Sequence, residues 1–423
     1  MDKRTFLKLA GLTGIGSLLS LEGLSQVFSE VASVPPEKLA GDEEFWASIR
    51  RGYRLKPDYI NLENGYYCFQ PEQVLEKFIE HVREVNYQGS YYMRTVNVKN
   101  KKSVAAKLAE VAACSPEELI ITRNTTESMD LIIGGLNWKA GDEAVMAEQD
   151  YGAMLNMFKQ VSKRYGVINK VVSVPNHPES DEEIVKLYES AITEKTKLLM
   201  VCHMINITGQ ILPVRKICDM AHERGVEVMV DGAHAFAHFD FSIPDLHCDY
   251  YGSSLHKWLS APLGSGILYV KKEKIPNVWP LIASGVGEAD NISRLNHIGT
   301  HPAHTDLAIA DALDFYHVIG AERKEARLRH IQNYWTSQVR DLPHVILNTP
   351  ADPSRSCAIA NVGIKGMEPS ELGETLLSRY RIYTVPINGA GVHGCRITPN
   401  VYTTTAELDV LVKALRELSE PTT

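Results

Sequence analysis

The chain has 423 residues, of which 44% are hydrophobic and 23% charged, which is typical of a globular protein and excludes collagen, coiled coils and disordered tails. Its 44 Lys and Arg residues against 52 Asp and Glu residues give a formal net charge of −8, which argues against a nucleic-acid-binding protein. The seven cysteines form no Cys-x-x-Cys pair, so we predict reduced thiols and no metal site.

The first 33 residues differ in character from the rest of the chain. A basic stretch at residues 3–8, Lys-Arg-Thr-Phe-Leu-Lys, precedes an apolar run at residues 9–19 that is too short to span a bilayer. This order resembles a twin-arginine export signal in which lysine replaces the first arginine. We therefore expect a signal peptide over residues 1–33, export to the periplasm, and no membrane integration after cleavage. The alternative is an amphipathic N-terminal helix on a cytoplasmic protein.

An N-terminal arm is expected over residues 34–60, followed by a large domain over residues 61–305. Helical periodicity at residues 71–87 and 99–113 precedes short apolar strands that alternate with helices. Such alternation predicts a mostly parallel sheet that is covered by helices on both faces and binds its ligand at the carboxyl ends of the strands. The predicted strands are residues 118–122, 144–147, 170–174, 197–203, 227–231, 250–253 and 266–270.

The pattern changes after residue 305, where a long helical stretch begins. We interpret residues 306–423 as a smaller C-terminal α+β domain that completes the active site. The predicted fold class is therefore α/β, with a mostly parallel sheet in the large domain. In the small domain, strands are predicted at residues 358–362 and 394–398 and helices at residues 369–378 and 405–418.

Asp231 and Lys257 carry the two side-chain groups, a carboxylate and an amine, that together suit one cofactor. Asp231 ends an apolar strand, and Lys257 follows Ser254-Leu255-His256 at the end of a later strand. A carboxylate at the end of a buried strand can bind a buried cation such as a pyridinium nitrogen, and a lysine near other cations has a lowered pKa that suits a nucleophile or base. This pair is typical of pyridoxal 5′-phosphate (PLP) enzymes, although a surface lysine at a strand exit gives the same local string.

A phosphate site is predicted where the strand at residues 118–122 turns into the next helix. Free backbone N–H groups and the positive end of the helix dipole suit a dianion there. The hydroxyls of Thr125 and Thr126 add further donors. The same residues suit an ordinary helix N-cap with Glu127 in the first turn, and the two interpretations are compatible.

These motifs occur in the order found in one enzyme family. Together they resemble the class V aminotransferase family, which consists of PLP-dependent enzymes of fold type I, over about residues 58–418. The string Asp150-Tyr151-Gly152-Ala153 is most similar to the isopenicillin N epimerase-like branch. The matching strings are Asn124-Thr125-Thr126-Glu127, Asp231-Gly232-Ala233-His234, Ser254-Leu255-His256-Lys257, Gly299-Thr300 and Arg396.

The resemblance implies a role for each residue at the cofactor ring. Lys257 would bind PLP covalently as a Schiff base, and Asp231 would keep the pyridine nitrogen protonated so that the ring accepts electrons. His234 and Asn206 would lie beside the phenolic oxygen, and Tyr151 would stack on the ring. His234 and Tyr151 thus join the lysine and the aspartate as the expected catalytic residues.

The resemblance also implies how the phosphate and the substrate are bound. Thr300 would contact the phosphate bound by the neighbouring subunit, which implies a homodimer with shared active sites. Arg396 would bind the α-carboxylate of an amino-acid substrate through two parallel hydrogen bonds. The phosphate ligands from the same subunit would be Thr125, Thr126, Ser254 and His256.

Other interpretations of the same residues are structural ones. His234 and His256 could be buried structural histidines, Tyr151 a core residue and Arg396 a member of a surface ion pair. A Rossmann oxidoreductase would require Gly-x-Gly-x-x-Gly after the first strand of a βαβ unit, and the sequence lacks it there.

Several reactions are compatible with these residues, and we favour an isopenicillin N epimerase-like epimerase or racemase. An aminotransferase and a C–S lyase are the alternatives within the family. A cysteine desulfurase is less favoured because residues 383–394 contain no cysteine, while Cys395 is expected to lie in a strand. A non-catalytic binding protein is disfavoured because Lys257 and Asp231 are both present.

Overall fold

The computed structural model describes residues 21–283 and 288–418, and the first 20 residues of the predicted signal peptide lie outside the described residues. The strands are β1 (Ile60–Asn61), β2 (Leu119–Thr122), β3 (Glu143–Ala147), β4 (Ile168–Val172), β5 (Thr196–Cys202), β6 (Glu227–Asp231), β7 (Tyr250–Ser254), β8 (Gly266–Val270), β9 (Val345–Leu347), β10 (Ala360–Ile364), β11 (Ile382–Tyr383), β12 (Val385–Gly389) and β13 (Val392–Ile397). The α-helices are α1 (Leu21–Glu30), α2 (Pro36–Ala40), α3 (Glu43–Arg50), α4 (Glu72–Gln88), α5 (Asn97–Ala112), α6 (Thr125–Gly135), α7 (Gly152–Tyr165), α8 (Asp181–Ala191), α9 (Val214–Glu223), α10 (Ala303–Ile319), α11 (Ala321–Val339), α12 (Pro369–Tyr380) and α13 (Thr405–Glu417).

A seven-stranded sheet forms the centre of the molecule, with the strand order β2-β8-β7-β6-β5-β3-β4. Its strands are parallel except β8, which runs antiparallel to both β2 and β7. The inner strands β3, β5, β6, β7 and β8 are almost entirely buried, as strands covered on both faces must be. The predicted α/β fold class with a mostly parallel sheet is confirmed.

Alternate residues of each central strand face opposite helical layers. In β5, Leu199 and Val201 belong to the larger hydrophobic core, while Leu198 and Met200 belong to the smaller core on the other face. This two-residue period follows from strand geometry and places one apolar layer on each side of the sheet. The polar groups of the site therefore emerge only at the strand ends.

A second sheet of four antiparallel strands, in the order β12-β13-β10-β9, lies in the C-terminal part of the chain. A short parallel pairing of β1 with β11 connects the segment before α4 to this region. The last helix, α13, begins with a capping box in which the Thr404 side chain and the Glu407 side chain satisfy each other's backbone N–H groups.

The N-terminal helices pack against the rest of the molecule. The apolar side chains of α1, Leu24, Phe28 and Val31, are buried in the larger core, and α1 lies against α10. The indole N–H of Trp46 in α3 donates to the carbonyl of Leu39 at 2.9 Å. In the described part of the chain, no helix combines the length and the apolarity that crossing a membrane would need.

Candidate active site

The predicted site residues converge where several strands end at the same edge of the large sheet. Asp231, the last residue of β6, pairs in register with Cys202 at the end of β5 and with Gly252 in β7. Ser254, the last residue of β7, pairs with Gly266, which also pairs with Thr122 at the end of β2. The carboxyl ends of these parallel strands form one edge, which is where open α/β sheets bind ligands.

Lys257 lies at this edge and contacts His234. The lysine Nζ is 3.1 Å from His234 Nε2, and the indole N–H of Trp258 donates to His234 Nδ1 at 3.3 Å. Because an indole N–H can only donate, Nδ1 must be the unprotonated ring nitrogen, and a neutral His234 carries its proton on Nε2. That proton points toward Lys257, whose amine then accepts it and must be neutral in this arrangement.

The electrostatic surroundings increase the neutral fraction of the lysine, although at pH 7 the ammonium is still the larger fraction. Burial lowers the pKa of Lys257 to about 8, while Asp231 opposes this shift and Arg396 adds to it. Burial, reinforced by the charges of Lys257 and Arg396, holds the pKa of His234 well below its ordinary value. A neutral amine beside a neutral imidazole is suited to nucleophilic attack and proton transfer.

Asp231 is a buried carboxylate with one oxygen committed to the backbone. Its Oδ1 accepts from the N–H of Ala233 at 3.0 Å, and within the described residues no hydrogen bond uses Oδ2. Burial raises the pKa of Asp231, while the Ala233 N–H and the charge of Lys257 lower it. The turn after Asp231 needs Gly232, because a Cβ at that position would lie 1.9 Å from Cζ of Tyr251.

Thr125 and Ser254 form a cluster of hydroxyl and amide donors at the start of α6. The backbone N–H of Thr125 donates to Ser254 Oγ at 2.9 Å, and the two side-chain oxygens are 2.7 Å apart. Asn124 caps the helix by accepting from the N–H of Glu127 at 2.9 Å. Among the first N–H groups of the helix, that of Thr126 has no partner within the described residues, and it is presented beside two hydroxyls, which suits an anion.

His256 lies next to this cluster in sequence and is half-buried. Its Nδ1 is 3.3 Å from the carbonyl of Ser265, and burial lowers the pKa of the side chain to about 4. The imidazole is therefore neutral near pH 7, with Nδ1 donating to the carbonyl and Nε2 left as an acceptor. Any hydrogen bond from His256 to a phosphate would require the opposite tautomer or protonation of the ring.

The set of donors and acceptors fits the parts of PLP. The carboxylate of Asp231 suits a protonated pyridine nitrogen, Lys257 offers a neutral amine for an aldehyde, and the start of α6 suits a phosphate dianion. All three lie at one edge of one sheet, at the end of β6 or shortly after the ends of β7 and β2, and the residues of these strands are almost all buried.

Arg396 has a partner that the sequence analysis missed. Its Nη2 donates to Glu63 Oε1 at 2.5 Å, its Nε to Glu63 Oε2 at 3.3 Å, and its Nη1 to the carbonyl of Asn206 at 3.3 Å. Both charged side chains are buried, so the pair is not the surface ion pair considered above. Gly65 allows the close approach, because a Cβ there would lie 2.7 Å from Cζ of Arg396.

The remaining predicted site residues differ in how exposed they are and in what they contact. Tyr151 immediately precedes α7 and is 47% exposed, so it is not a core residue. Asn206 and Thr126 are half-buried, and Asn206 contacts Arg396 through its backbone carbonyl. Thr300 is exposed, and within the described part of the subunit no hydrogen bond joins it to the other predicted residues. Its phosphate contact therefore stays a prediction that needs a second subunit.

The cysteines agree with the predicted reduced state, since all seven are free. Cys395 lies in β13 as predicted, is fully buried, and its thiol donates to the carbonyl of Pro369 at 3.4 Å. Burial raises its pKa to about 11, which keeps the thiol protonated near pH 7.

Comparison of the sequence with known proteins finds relatives that belong to one enzyme family. The family profile described as "Aminotransferase class-V" matches residues 69–409. The chain is 26% identical over 391 residues to isopenicillin N epimerase of Streptomyces clavuligerus, which covers 88% of this chain and 98% of that enzyme. It is 27% identical over 350 residues to a probable cysteine desulfurase of Synechocystis sp., which covers 77% of this chain and 82% of the relative.

Solved structures share the fold at low sequence identity. A mutant of C-DES with glycine covalently linked to its PLP cofactor superposes with a TM-score of 0.76 at 20% identity, over 85% of this chain and 96% of that chain. The complex of the cystine C–S lyase C-DES with cysteine persulfide superposes with a TM-score of 0.77, also at 20% identity, over 86% and 98% of the two chains.

Proposed function

Because this chain belongs to the class V aminotransferase family of PLP-dependent enzymes, we propose that it is an epimerase or racemase acting on an α-amino acid or an amino-acid derivative. The observation that carries this proposal is the contact of Lys257, whose pKa is lowered, with His234 at the strand-end edge, which supplies a base for an α-proton. The likeness to isopenicillin N epimerase over 98% of that enzyme's length supports the choice of reaction within the family.

In the proposed reaction, buried residues at the edge of the large sheet control the removal and the return of a proton on Cα of the substrate. Bound PLP supplies an electron sink for the charge that develops at Cα. Asp231 would stabilise a proton on the pyridine nitrogen, since its Oδ2 accepts no hydrogen bond within the described residues and the residue as a whole is buried. Lys257 removes the α-proton from one face of the substrate, and a second group or water returns a proton on the opposite face.

Other residues bind and orient the two ligands. Arg396 binds the α-carboxylate of the substrate, because its planar fork suits a bidentate contact. His234 and Asn206 would lie beside the phenolic oxygen of the cofactor, and Tyr151, whose side chain is partly exposed, would cover its ring. The phosphate ligands in this proposal are Thr125, Thr126, Ser254 and His256, the last of which must be protonated to donate from Nε2.

Desulfuration is not part of the proposal, because the chain offers no accessible thiol for it at the expected place. Residues 383–394 contain no cysteine, and Cys395 is buried in β13 with its thiol bonded to a backbone carbonyl. A thiolate nucleophile needs an exposed thiol with a lowered pKa, and Cys395 has neither property.

A spectroscopic titration of the purified protein tests the proposal. The holoenzyme should absorb in the visible range and change its spectrum with some members of a panel of L- and D-amino acids, because both enantiomers of an epimerase substrate bind. Chiral analysis of the responding amino acids should then show inversion. Formation of a keto acid would indicate an aminotransferase instead, and release of a sulfur-containing fragment would indicate a C–S lyase.

We also propose a homodimer, in which Thr300 contacts the phosphate of the neighbouring subunit, and export of the protein by a twin-arginine-like signal. The exposure of Thr300 is compatible with the first of these. Sedimentation of the purified protein tests the dimer, and the location of the full chain after expression, with Arg4→Lys as the comparison, tests export.

A further inference from the structure

The guanidinium of Arg396 is already bound to a carboxylate of this chain. Glu63 occupies the edge formed by Nε and Nη2, which is one of the two edges through which arginine binds a carboxylate bidentately. One N–H of the other edge, on Nη1, contacts the carbonyl of Asn206. A second carboxylate that reaches Arg396 therefore meets a cation whose charge a buried anion has largely neutralised.

The turn around Glu63 gives this carboxylate a second anchor. Glu63 Oε1 also accepts from the backbone N–H of Tyr66 at 2.9 Å, so the side chain keeps one hydrogen bond if it leaves Arg396. The neighbouring Gly65 lets the guanidinium lie directly against the backbone. Glu63 is thus placed to hold Arg396 and, when it releases Arg396, to keep one backbone hydrogen bond that reduces the cost of a buried anion.

We propose that Glu63 is a specificity-determining residue whose carboxylate competes with the substrate carboxylate for Arg396. The inference rests on the proposed function, in which Arg396 binds the α-carboxylate. Glu63 is displaced only by a ligand that the site also binds through a second group besides its carboxylate. In an α-amino acid this second group is the amine, which reacts near Lys257. Carboxylic acids without an amine lack it and therefore bind weakly.

Calorimetric binding of propionate to the holoenzyme tests the competition, because propionate has the carboxylate of alanine but no amine. Glu63→Gln removes the competing charge and keeps the size of the side chain. We expect it to bind propionate at least about tenfold more tightly than the wild type, since close charged pairs at binding sites are coupled by about 1.4 kcal/mol or more. The matched control is Glu43→Gln, which removes the carboxylate paired with the buried Arg327 outside the site and should leave propionate binding unchanged.

The double variant Glu63→Gln/Arg396→Ala separates this inference from the proposed function. If Arg396 is the carboxylate site, the double variant loses the tight propionate binding. If it binds propionate as tightly as Glu63→Gln alone, the carboxylate is bound elsewhere, and both the role of Arg396 and the competition are wrong. If Glu63→Gln binds propionate no better than the wild type while Arg396→Ala binds it less well, Glu63 only orients Arg396, and the competition alone is overturned.

A second variant covers the case in which Glu63→Gln does not fold, as judged from loss of the visible cofactor band and of helical circular dichroism. Glu63→Asp keeps the charge but shortens the side chain by one methylene, so its carboxylate reaches Arg396 less well. It should also bind propionate more tightly than the wild type. Unchanged or weaker binding in a folded Glu63→Asp protein contradicts the proposal.

Discussion

The position of a single proton on His234 determines how Lys257 can react. Trp258 donates to Nδ1, so the imidazole presents its N–H to Lys257. If a charged Lys257 donated to Nε2 instead, the imidazole proton would lie on Nδ1 and face the indole N–H, and two donors would oppose each other. The indole therefore acts on the lysine through the histidine, which makes Trp258 a positioning residue.

The lowered pKa of Lys257 predicts the pH dependence of cofactor capture. Only the neutral amine attacks the aldehyde, so the rate at which the cofactor-free protein captures PLP should rise with pH. The midpoint should lie near 8, the value to which burial lowers the pKa of Lys257, and the rate should level off above it. Stopped-flow absorbance across a pH series measures this. A rate that still climbs at pH 10 would mean that Lys257 has the pKa of an exposed lysine.

Trp258→Phe should move this midpoint to higher pH. Without the indole N–H, His234 is free to place its proton on Nδ1 and accept from a charged Lys257, which stabilises the ammonium. One neutral hydrogen bond is worth about 1 kcal/mol, which corresponds to an upward shift of about 0.7 pH units.

Trp335→Phe is the matched control for Trp258→Phe. Trp335 is another fully buried tryptophan, and its indole N–H contacts no acceptor within the described residues. Its replacement should leave the midpoint unchanged. Equal shifts in both variants would show that loss of buried indole volume, and not the His234 contact, is responsible.

At the scale of elements, the phosphate site depends on the contact between the end of β7 and the first turn of α6. Ser254→Ala removes the hydroxyl that joins Thr125 to the strand. A hydrogen bond to a charged group contributes about 1.5–3 kcal/mol, so the Kd for PLP should rise by roughly 10- to 100-fold. Equilibrium titration with PLP measures it.

Ser253→Ala is the comparison for this variant, because Ser253 is also buried in β7 but donates to the carbonyl of Gly232. Successive residues of a strand point to opposite faces, so Ser253 cannot share the contact with α6. If Ser253→Ala weakened PLP binding as much as Ser254→Ala does, Ser254 would have no specific role in the phosphate site.

The buried strands of the large sheet were predictable from sequence, whereas the exposed strand β12 of the small sheet was not. The predicted strand at residues 227–231 agrees with β6, and that at residues 266–270 agrees with β8, because continuous apolar runs mark strands covered on both faces. The edge strand β12 was missed, since it contains Pro386 and Gly389 and buries none of its residues. The π-helical turn Tyr92–Val96 before α5 was missed too, because no local pattern marks it.

The same distinction applies to the site. Asp231, Ser254 and Lys257 could be predicted because strand ends of a parallel sheet meet at one edge. Glu63 could not, because its partner Arg396 lies 333 positions away and the only local sign is an acidic residue before a glycine turn. Trp258 follows Lys257 directly, yet only the folded backbone brings its indole to His234.

At the scale of the whole molecule, the N-terminal helix α1 contributes to the core although it lies within the predicted signal peptide. Leu24, Phe28 and Val31 are buried against the rest of the chain, and burial of such side chains contributes about 1.5–3 kcal/mol each. A protein that starts at residue 34 should therefore melt at a temperature at least about 5 °C lower than one that starts at residue 21. Scanning calorimetry compares the two, and equal melting temperatures would show that α1 adds no stability.

The central claim is that Lys257 moves the α-proton of an amino acid and that the product keeps its amine with inverted configuration. The most direct measurement is incubation of the holoenzyme with L- and D-amino acids in D2O, followed by mass spectrometry and chiral separation. If Lys257 moves this proton, the substrate gains one deuterium at Cα together with inversion, and Lys257→Ala shows neither change. Deuterium at Cα of the recovered amino acid without inversion, or a keto acid as the product, would contradict the proposed epimerase.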